Sequence, residues 1–327
     1  MKFRQGKLLW RIIFLLLAAC CFPYVITLGW TGSINGQRRV LEGIGREEGG
    51  SFIRPKEQTL SSGKQVILDR ETTEYLDVEQ YLVGVVARQI PAEYEIEALK
   101  AQAVIARTYI YQQMGEKSQI AESALDMDYL EQVQMEKLWG TRNYLEFYRR
   151  VEQAVAQTNG IAMKYDGEYI DALFCRCSAG KTRRGDKPYL AGADCPEDMQ
   201  ADGYLQLKEW TPEEFSRLIS SIPDGGPVSA DQVPETIQIG EREENGYVTV
   251  VQIGNIQFSG DEVRYALSIN SPCFRLEDYH GNIRAEVKGI GHGYGFSQFC
   301  ANQKAKEGWT FDELLNYFYQ NILLVSV

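Results

Sequence analysis

Three side chains that could bind a polar ligand lie along one segment of the chain. Lys100, Arg107 and Tyr111 are spaced so that they fall on one flank of a helix. A long cation, a planar cation and a phenol on the edge of a half-buried helix are suited to hold an oxygen-rich ligand. The alternative is a solvated flank whose aliphatic stems cover the core. Spacing alone favours this second interpretation.

A second group of candidates lies in the stretch from 289 to 298, where glycine alternates with other residues. Its glycines let a backbone turn sharply and let a ligand approach the amides. Ser297 and Gln298, at the start of the next predicted helix, offer side-chain hydrogen bonds. His292 is either a general base or a residue that holds the loop together, and the structural role is favoured.

Five cysteines lie outside the N-terminal apolar segment, and their spacing is not that of paired metal ligands: Cys175, Cys177, Cys195, Cys273 and Cys300. The first three could bind zinc, with His292 or His280 as the fourth ligand, or two cysteines could form a disulfide. Buried free thiols are the commonest explanation for such residues. We expect that the protein requires no cofactor.

The first group of candidates lies in the second of two predicted helices. Asp77 is a candidate N-cap for a first helix that runs to about Gln89. Ile90 precedes Pro91, which disfavours helical backbone at Ile90 and ends this helix. The second helix has apolar residues at alternating spacings of three and four, which predicts a single buried stripe. The stripe comprises Ile96, Leu99, Ala103, Ala106 and Ile110.

Hairpins and further helices follow. Asp166-Gly167 and Asn245-Gly246 are turn signals for two hairpins. Capping boxes beginning at Thr211 and Thr310 predict two helices. The predicted strands are 65–68, 74–76, 161–165, 168–174, 235–242 and 247–253, and the other predicted helices are 142–158 and 296–306. This order predicts an α+β fold, with helices packed on antiparallel sheet and hairpins.

Composition limits the class of protein. The chain has 327 residues, 44% hydrophobic and 24% charged, which is typical of globular proteins. A net charge of -11 argues against nucleic-acid binding, which needs a cationic surface. The same charge disfavours docking of the whole domain on an anionic polymer. Such a ligand would have to be bound locally.

The N-terminus predicts export. Basic residues precede an apolar run from 12 to 30, which favours an uncleaved membrane anchor over a lipoprotein cleaved before Cys20. Residues 31–64 are predicted to be a linker, because they are rich in Gly, Ser, Arg and Glu. Residues 65–327 then form the main domain, outside the cytoplasm at the cell membrane.

Two motifs resemble the family of stage II sporulation protein D and the amidase enhancers. The first runs from Tyr81 to Tyr109, YLVGVVARQIPAEYEIEALKAQAVIARTY, and the second from Gly289 to Gln298, GIGHGYGFSQ. Between them, residues 175–182 occupy the place of the family's His-Ser-x-Ser-Gly-Gly-x-Thr loop, with Cys175 in place of its histidine. The resemblance covers roughly residues 70–322.

The resemblance implies a lytic transglycosylase that acts on peptide-stripped glycan strands of peptidoglycan during engulfment in endospore formation. One carboxyl group then protonates the leaving oxygen and accepts the proton of the attacking sugar hydroxyl. No second carboxylate nucleophile is needed, unlike in most glycosidases. The substrate-binding residues implied by the motifs are Lys100, Gln102, Arg107, Tyr109, Ser178, Gly180, Lys181, Thr182, His292, Gly293, Ser297 and Gln298.

This sequence departs from the family at one position. The family's acid is the glutamate before Met-Pro, and the matching residue here is Gln89. A carboxamide cannot exchange a proton near neutral pH, and loss of acid-base help costs about a hundred- to ten-thousand-fold in rate. Glu93 is the best candidate for a substitute acid, whereas Glu97 is better explained as a charge in the first turn of a helix.

Three functions follow as alternatives. The first is an active membrane-anchored glycan lyase. The second is an inactive member that binds glycan strands and recruits or stimulates a cell-wall amidase, together with membrane partners of an engulfment-type complex. The third is a structural link between the membrane and a partner complex, without affinity for glycan.

Overall fold

A computed structural model of the protein describes residues 61–70, 73–223 and 225–327. These residues belong to one compact unit, Gln58–Val327. The predicted anchor at 1–30, Cys20 and most of the predicted linker at 31–64 lie outside the described residues. None of the helices in the described ranges combines the length and the apolar character that a membrane crossing requires.

The two central helices begin and end where the sequence predicts. The first, α1 (Val78–Gln89), starts at Asp77, whose carboxylate accepts a hydrogen bond from the Glu79 amide. It ends because Ile90 is extended, with φ -134° and ψ 143°, as a residue before proline prefers. The second, α2 (Ile96–Met114), follows after a short turn. Both predictions are confirmed.

The described residues contain five further helices. They are α3 (Gln132–Gln157), α4 (Pro212–Ile219), α5 (Gly260–Leu267), α6 (Gln298–Lys306) and α7 (Phe311–Phe318). The capping boxes at Thr211 and Thr310 are both present and open α4 and α7. A break at Gly140, with φ 71° and ψ 149°, divides α3 into two helical pieces.

The strands form five small sheets, and most of the pairs are antiparallel. The first two sheets have the orders β2-β1-β3 and β14-β4-β5, with β1 (Gln65–Leu68), β2 (Glu74–Asp77), β3 (Gln119–Ala121), β4 (Ile161–Tyr165), β5 (Glu168–Tyr169) and β14 (Leu323–Ser326). The next two have the orders β11-β12-β7 and β10-β9-β8, with β7 (Leu205–Trp210), β8 (Ile237–Arg242), β9 (Val248–Ile253), β10 (Ile256–Ser259), β11 (Phe274–Tyr279) and β12 (Asn282–Lys288). The fifth pairs β6 (Phe174–Cys175) with β13 (Phe296–Ser297) in parallel. The α+β class is confirmed.

Helix α2 is buried on more than one face, so the prediction of a single buried stripe is wrong. Leu99 and Ala103 pack in one core with α1 and α3. Val104 and Ile105 pack in a second core with β4, α6 and α7. A helix with apolar residues on two faces is enclosed by other elements. A third core lies between α4, α5 and the sheets containing β9 and β12.

The parallel pair of β6 and β13 connects the loop at residues 175–182 with the glycine-rich motif. Phe296 pairs with Phe174, and Ser297 pairs with Cys175. The glycine-rich loop therefore lies against residues 175–178, and the Ile290 and Cys177 backbones exchange two hydrogen bonds. Helix α6 then leads back to α2. This arrangement brings three distant segments of the chain to one place.

Candidate functional site

A groove of about 790 Å³ opens where the end of α1 meets the glycine-rich loop. Its floor includes Gln89, Pro91, Cys175, Gly291 and Gln298. The walls come from α3, α5, the loop after α5 and the turn after α1. The residues they contribute include Glu93, Trp139, Asn143, Phe147, Arg264 and Asn270. Aromatic rings beside amides and charged groups are suited to a large polar ligand.

Three carboxamides form a network at the floor of the groove. Gln102 Nε2 donates to Gln89 Oε1 at 2.8 Å. Gln298 Nε2 donates to Gln102 Oε1 at 3.1 Å and to the Gln89 backbone oxygen at 2.9 Å. Gln102 and Gln298 are buried, so both are fixed behind Gln89. The structure therefore brings three of the predicted site residues together.

The network sets the orientation of the Gln89 amide. Its Oε1 is occupied by Gln102, which leaves Nε2 without a hydrogen-bond partner among the described residues. Gln89 thus presents N–H donors to the groove rather than a proton that can be transferred. A glutamate at this position would accept the same hydrogen bond from Gln102.

Glu93 also lines the groove and is exposed. It lies in the turn between α1 and α2, four residues after Gln89. No described side chain pairs with its carboxylate in an ion pair. Among the described lining residues, Glu93 is the acidic group of this groove.

His292 is held within its loop. Its Nδ1 accepts a hydrogen bond from the Tyr294 amide at 3.0 Å, and the two rings stack with centroids 5.7 Å apart. Burial, and after it the positive charge of nearby Arg264, lowers the pKa of His292 to about 4. His292 is therefore neutral near pH 7. Its contacts are those of a residue that shapes the loop.

The glycines of this loop allow close contacts. Gly291 has φ 113°, and a Cβ there would lie 2.7 Å from Cys175 Cβ. Gly293 is buried, and a Cβ there would lie 2.5 Å from the Tyr247 ring. Side chains at these positions would clash with Cys175 and Tyr247, so the loop could not keep its present path.

Asp198 was not predicted from the sequence, and it binds Ser178 of the 175–182 loop and Ser297 of the glycine-rich motif. Its Oδ2 accepts hydrogen bonds from the Ser178 amide at 2.7 Å and the Ser178 hydroxyl at 2.6 Å. The Ser297 hydroxyl donates to both carboxylate oxygens at 2.8 Å. All three residues are fully buried. Ser178 and Ser297 thus hold the floor of the groove in place from below.

Burial raises the pKa of Asp198 to about 6, against the opposing effect of the two serines. The residue follows Pro196 in a one-turn helix, Pro196–Gln200, and no local motif marks it. Only the tertiary structure brings it against Ser178 and Ser297. Arg264 and Trp139 were missed for the same reason.

Gly180, Lys181 and Thr182 line a different cavity, of about 1230 Å³. There Lys181 forms an ion pair with Asp194 at 3.0 Å. Thr182 Oγ1 accepts a hydrogen bond from the Ala193 amide at 2.8 Å. The structure does not bring these three residues into the groove with Gln89.

Arg107 lies in the protein interior, which corrects the expectation that it contacts a ligand. Its Nε and Nη2 each donate to Glu79 at 2.6 Å, and neither side chain is exposed. Nη1 donates to the Ile161 backbone oxygen at 3.0 Å. Tyr111 is buried as well. Because α2 is enclosed on several faces, these residues have structural partners within the protein.

Lys100 and Tyr109 also lie outside the groove lining. Lys100 pairs with Glu97 at 2.6 Å, and its ammonium lies 6.0 Å from the centre of the Phe311 ring. The Tyr109 hydroxyl accepts a hydrogen bond from the Asp126 amide at 3.1 Å. Glu97 has a second role, because it also accepts from the Phe311 amide at 2.9 Å.

The five described cysteines are buried free thiols. Burial raises the pKa of Cys177 to about 12 and that of Cys175 well above its usual value. Within residues 61–70, 73–223 and 225–327, no group of three or more His, Cys, Asp or Glu side chains could hold a metal ion. The zinc alternative at Cys175, Cys177 and Cys195 therefore has no ligand set in these ranges.

Comparison with known proteins gives a consistent family relationship. The model of the Stage II sporulation protein family matches residues 69–165. Stage II sporulation protein D of Bacillus subtilis (strain 168) is 31% identical over 264 residues, covering 76% of this chain and 75% of that protein. The protein of the same name from Bacillus amyloliquefaciens is 30% identical over 266 residues, covering 77% of this chain and 75% of its own. The amidase enhancer of Bacillus subtilis is 24% identical over 298 residues, covering 75% of this chain and 40% of its own.

Proposed function

The chain belongs to the stage II sporulation protein D family, and from this membership we propose that it binds glycan strands of peptidoglycan during spore formation. The groove beside Gln89 is the proposed binding site. Its aromatic rings and amides suit a chain of acetylated sugars, whose faces are apolar and whose edges carry hydroxyl and amide groups.

One observation supports binding without cleavage. Gln89 occupies the position of the family's catalytic glutamate, and Gln102 donates to its Oε1 at 2.8 Å. The residue facing the groove is thus a fixed amide, which cannot deliver a proton to a leaving oxygen. In this proposal the chain retains the glycan site and lacks the acid.

Location and partners follow from the same proposal. The basic and apolar N-terminus would anchor the chain in the cell membrane, with the main domain outside the cytoplasm. One relative is named an amidase enhancer. A protein that holds glycan strands without cutting them could present them to a cell-wall amidase or to other members of an engulfment-type complex.

A second candidate function is a glycan lyase that uses Glu93 as its acid. This carboxylate lines the same groove and is exposed to a bound ligand. A single carboxyl group would suffice, because the sugar's own hydroxyl is the nucleophile. The 1,6-anhydro sugar is the product that identifies this reaction.

The first test compares the full chain, purified in mild detergent, with its Gln89→Glu variant. Both are incubated with peptide-free glycan strands, and 1,6-anhydro products are sought by mass spectrometry. Product from Gln89→Glu alone would support a binding site that has lost its acid. Product from the unaltered chain would favour the lyase, and Glu93→Gln should then abolish it.

Binding is tested separately by pelleting the full chain with peptide-free sacculi. The binding proposal requires that the unaltered chain and Gln89→Glu both sediment with the sacculi. If the unaltered chain stays in the supernatant, the proposed function is wrong in both forms.

A further inference from the structure

The groove has a charge opposite to that of the chain. The chain carries a net charge of -11. Three arginines and one glutamate line the groove, namely Arg88, Arg176, Arg264 and Glu93. A ligand in this groove therefore meets a locally cationic surface, which favours a negatively charged group.

Arg264 has unusual surroundings for an arginine. It projects from α5, and its Nε and Nη1 are buried without a hydrogen-bond partner among the described residues. No described carboxylate lies within ion-pair distance, and the guanidinium carbon lies 5.0 Å from the centre of the Tyr265 ring. Unpartnered buried donors of a charged group cost free energy until an acceptor reaches them.

The ionisable side chains near Arg264 either form ion pairs with other residues or are neutral. Asp261 lies three residues earlier on α5 and accepts from Arg183 Nη1 at 3.0 Å. Arg183 also pairs with Glu243 at 2.6 Å. His292 is neutral near pH 7, because burial lowers its pKa. No described side chain thus neutralises Arg264.

The other two arginines of the groove differ in whether they form an ion pair. Arg88 pairs with Asp128 at 3.1 Å, and both side chains are largely exposed. Arg176 is exposed and forms no ion pair in the described ranges, although its backbone oxygen accepts from the Phe299 amide. Arg264 and Arg176 are therefore the arginines of the groove lining that have no carboxylate partner among the described residues.

We propose that Arg264, assisted by Arg176, binds the lactyl carboxylate that muramic acid displays once its stem peptide has been removed. This inference rests on the proposed function. A guanidinium offers a planar pair of donors that matches a carboxylate. In a strand that still carries stem peptides the same carbon is an amide, which is uncharged and continues into a peptide. Arg264 would thus make the groove selective for peptide-free strands.

The test uses two forms of one glycan fragment. Peptide-free fragments are compared with the same fragments in which the lactyl carboxylates have been converted to primary amides, which keeps their shape and removes their charge. Binding to the full chain in detergent is measured by titration calorimetry. The unaltered chain should prefer the carboxylate form by about tenfold, typical of one charge-assisted contact.

Variants assign this preference to Arg264. Arg264→Gln should bind both fragments equally, and Arg264→Lys should retain part of the preference, because an ammonium keeps the charge without the planar fork. Arg284→Gln is the matched control. Arg284 pairs with Glu277 on the β11-β12 hairpin and is not a lining residue of the groove.

The outcomes separate this inference from the proposed function. Equal affinity of the unaltered chain for both fragments, or a full preference in Arg264→Gln, would overturn the role of Arg264 while glycan binding stands. Absence of binding to either fragment would overturn the proposed function itself. If Arg264→Gln fails to fold, the two fragments on the unaltered chain and on Arg264→Lys still decide.

Discussion

The Arg107 and Glu79 side chains form a buried, doubly hydrogen-bonded ion pair between α1 and α2. Arg107→Met would leave the Glu79 carboxylate buried without its counter-charge. Removal of one partner from a buried pair costs about 3–5 kcal/mol. We therefore expect a fall of this size in the free energy of unfolding, measured by denaturant unfolding of the full chain.

Two controls identify the cause. The double variant Arg107→Met and Glu79→Leu should recover most of the loss, because no charge then remains buried. Lys181→Met removes an exposed ion pair with Asp194 and should leave the unfolding midpoint unchanged. A fall below about 1 kcal/mol for Arg107→Met would contradict a structural role for this pair.

Single residues show where prediction from the sequence works and where it stops. Gln89 was identified because it departs from a motif at a known position. Arg107 was expected near the ligand, because spacing along one helix cannot reveal a Glu79 that approaches from another. Asp198 and Arg264 carry no local motif. Their surroundings are created when residues about a hundred positions apart meet, as in the contact between Asp198 and Ser297.

At the scale of elements, the glycine-rich loop depends on close contact with Leu173, the residue before β6. Gly295 has φ 69°, and a Cβ there would lie 2.0 Å from the Leu173 backbone oxygen. Gly295→Ala must therefore displace β13 from β6. We expect a loss of about 3 kcal/mol or more in the free energy of unfolding, of which only about 1–2 kcal/mol comes from the left-handed backbone.

Gly281→Ala is the matched control, because its φ of 84° is also positive but nothing lies within 4 Å of its Cβ position. This variant has the unfavourable left-handed backbone but no steric clash. Its free energy of unfolding should therefore fall by only about 1–2 kcal/mol. Denaturant unfolding of both variants measures the difference. Equal losses would mean that the contact with Leu173 does not limit the loop.

Elements with strong local signals were predicted well. Helix α1 ends before Pro91 as predicted, α2 covers the predicted apolar residues 96–110, and α4 and α7 begin at the predicted capping boxes. Helix α5 was missed although Ser259 and Glu262 form a capping box. The predicted strand 168–174 is in fact two short strands, β5 and β6. The pairing of β6 with β13 was missed because no turn signal joins the two strands.

At the scale of the whole molecule, two buried groups make opposite contributions to the dependence of stability on pH. The pKa of Asp198 is raised by burial from 3.8 to about 6. Its contribution to stability is therefore fully present below pH 3.8 and lost as the pH rises through 6. The pKa of His292 is lowered by burial from 6.5 to about 4. Its contribution is present above pH 6.5 and lost as the pH falls through 4.

These opposite slopes partly cancel between pH 4 and pH 6 in the unaltered chain, and single variants should reveal them. Asp198→Asn removes the group that is stabilising when protonated, so its deficit relative to the unaltered chain should be larger at pH 4 than at pH 7. The difference should be about 3 kcal/mol, from about 1.4 kcal/mol per pKa unit. Denaturant unfolding at both pH values measures it.

His292→Gln is the control and should show the opposite trend, with a smaller deficit at pH 4. A deficit of Asp198→Asn that stays constant with pH would show that burial does not raise the pKa of this carboxyl, and that the two serine hydroxyls hold it ionised at both pH values.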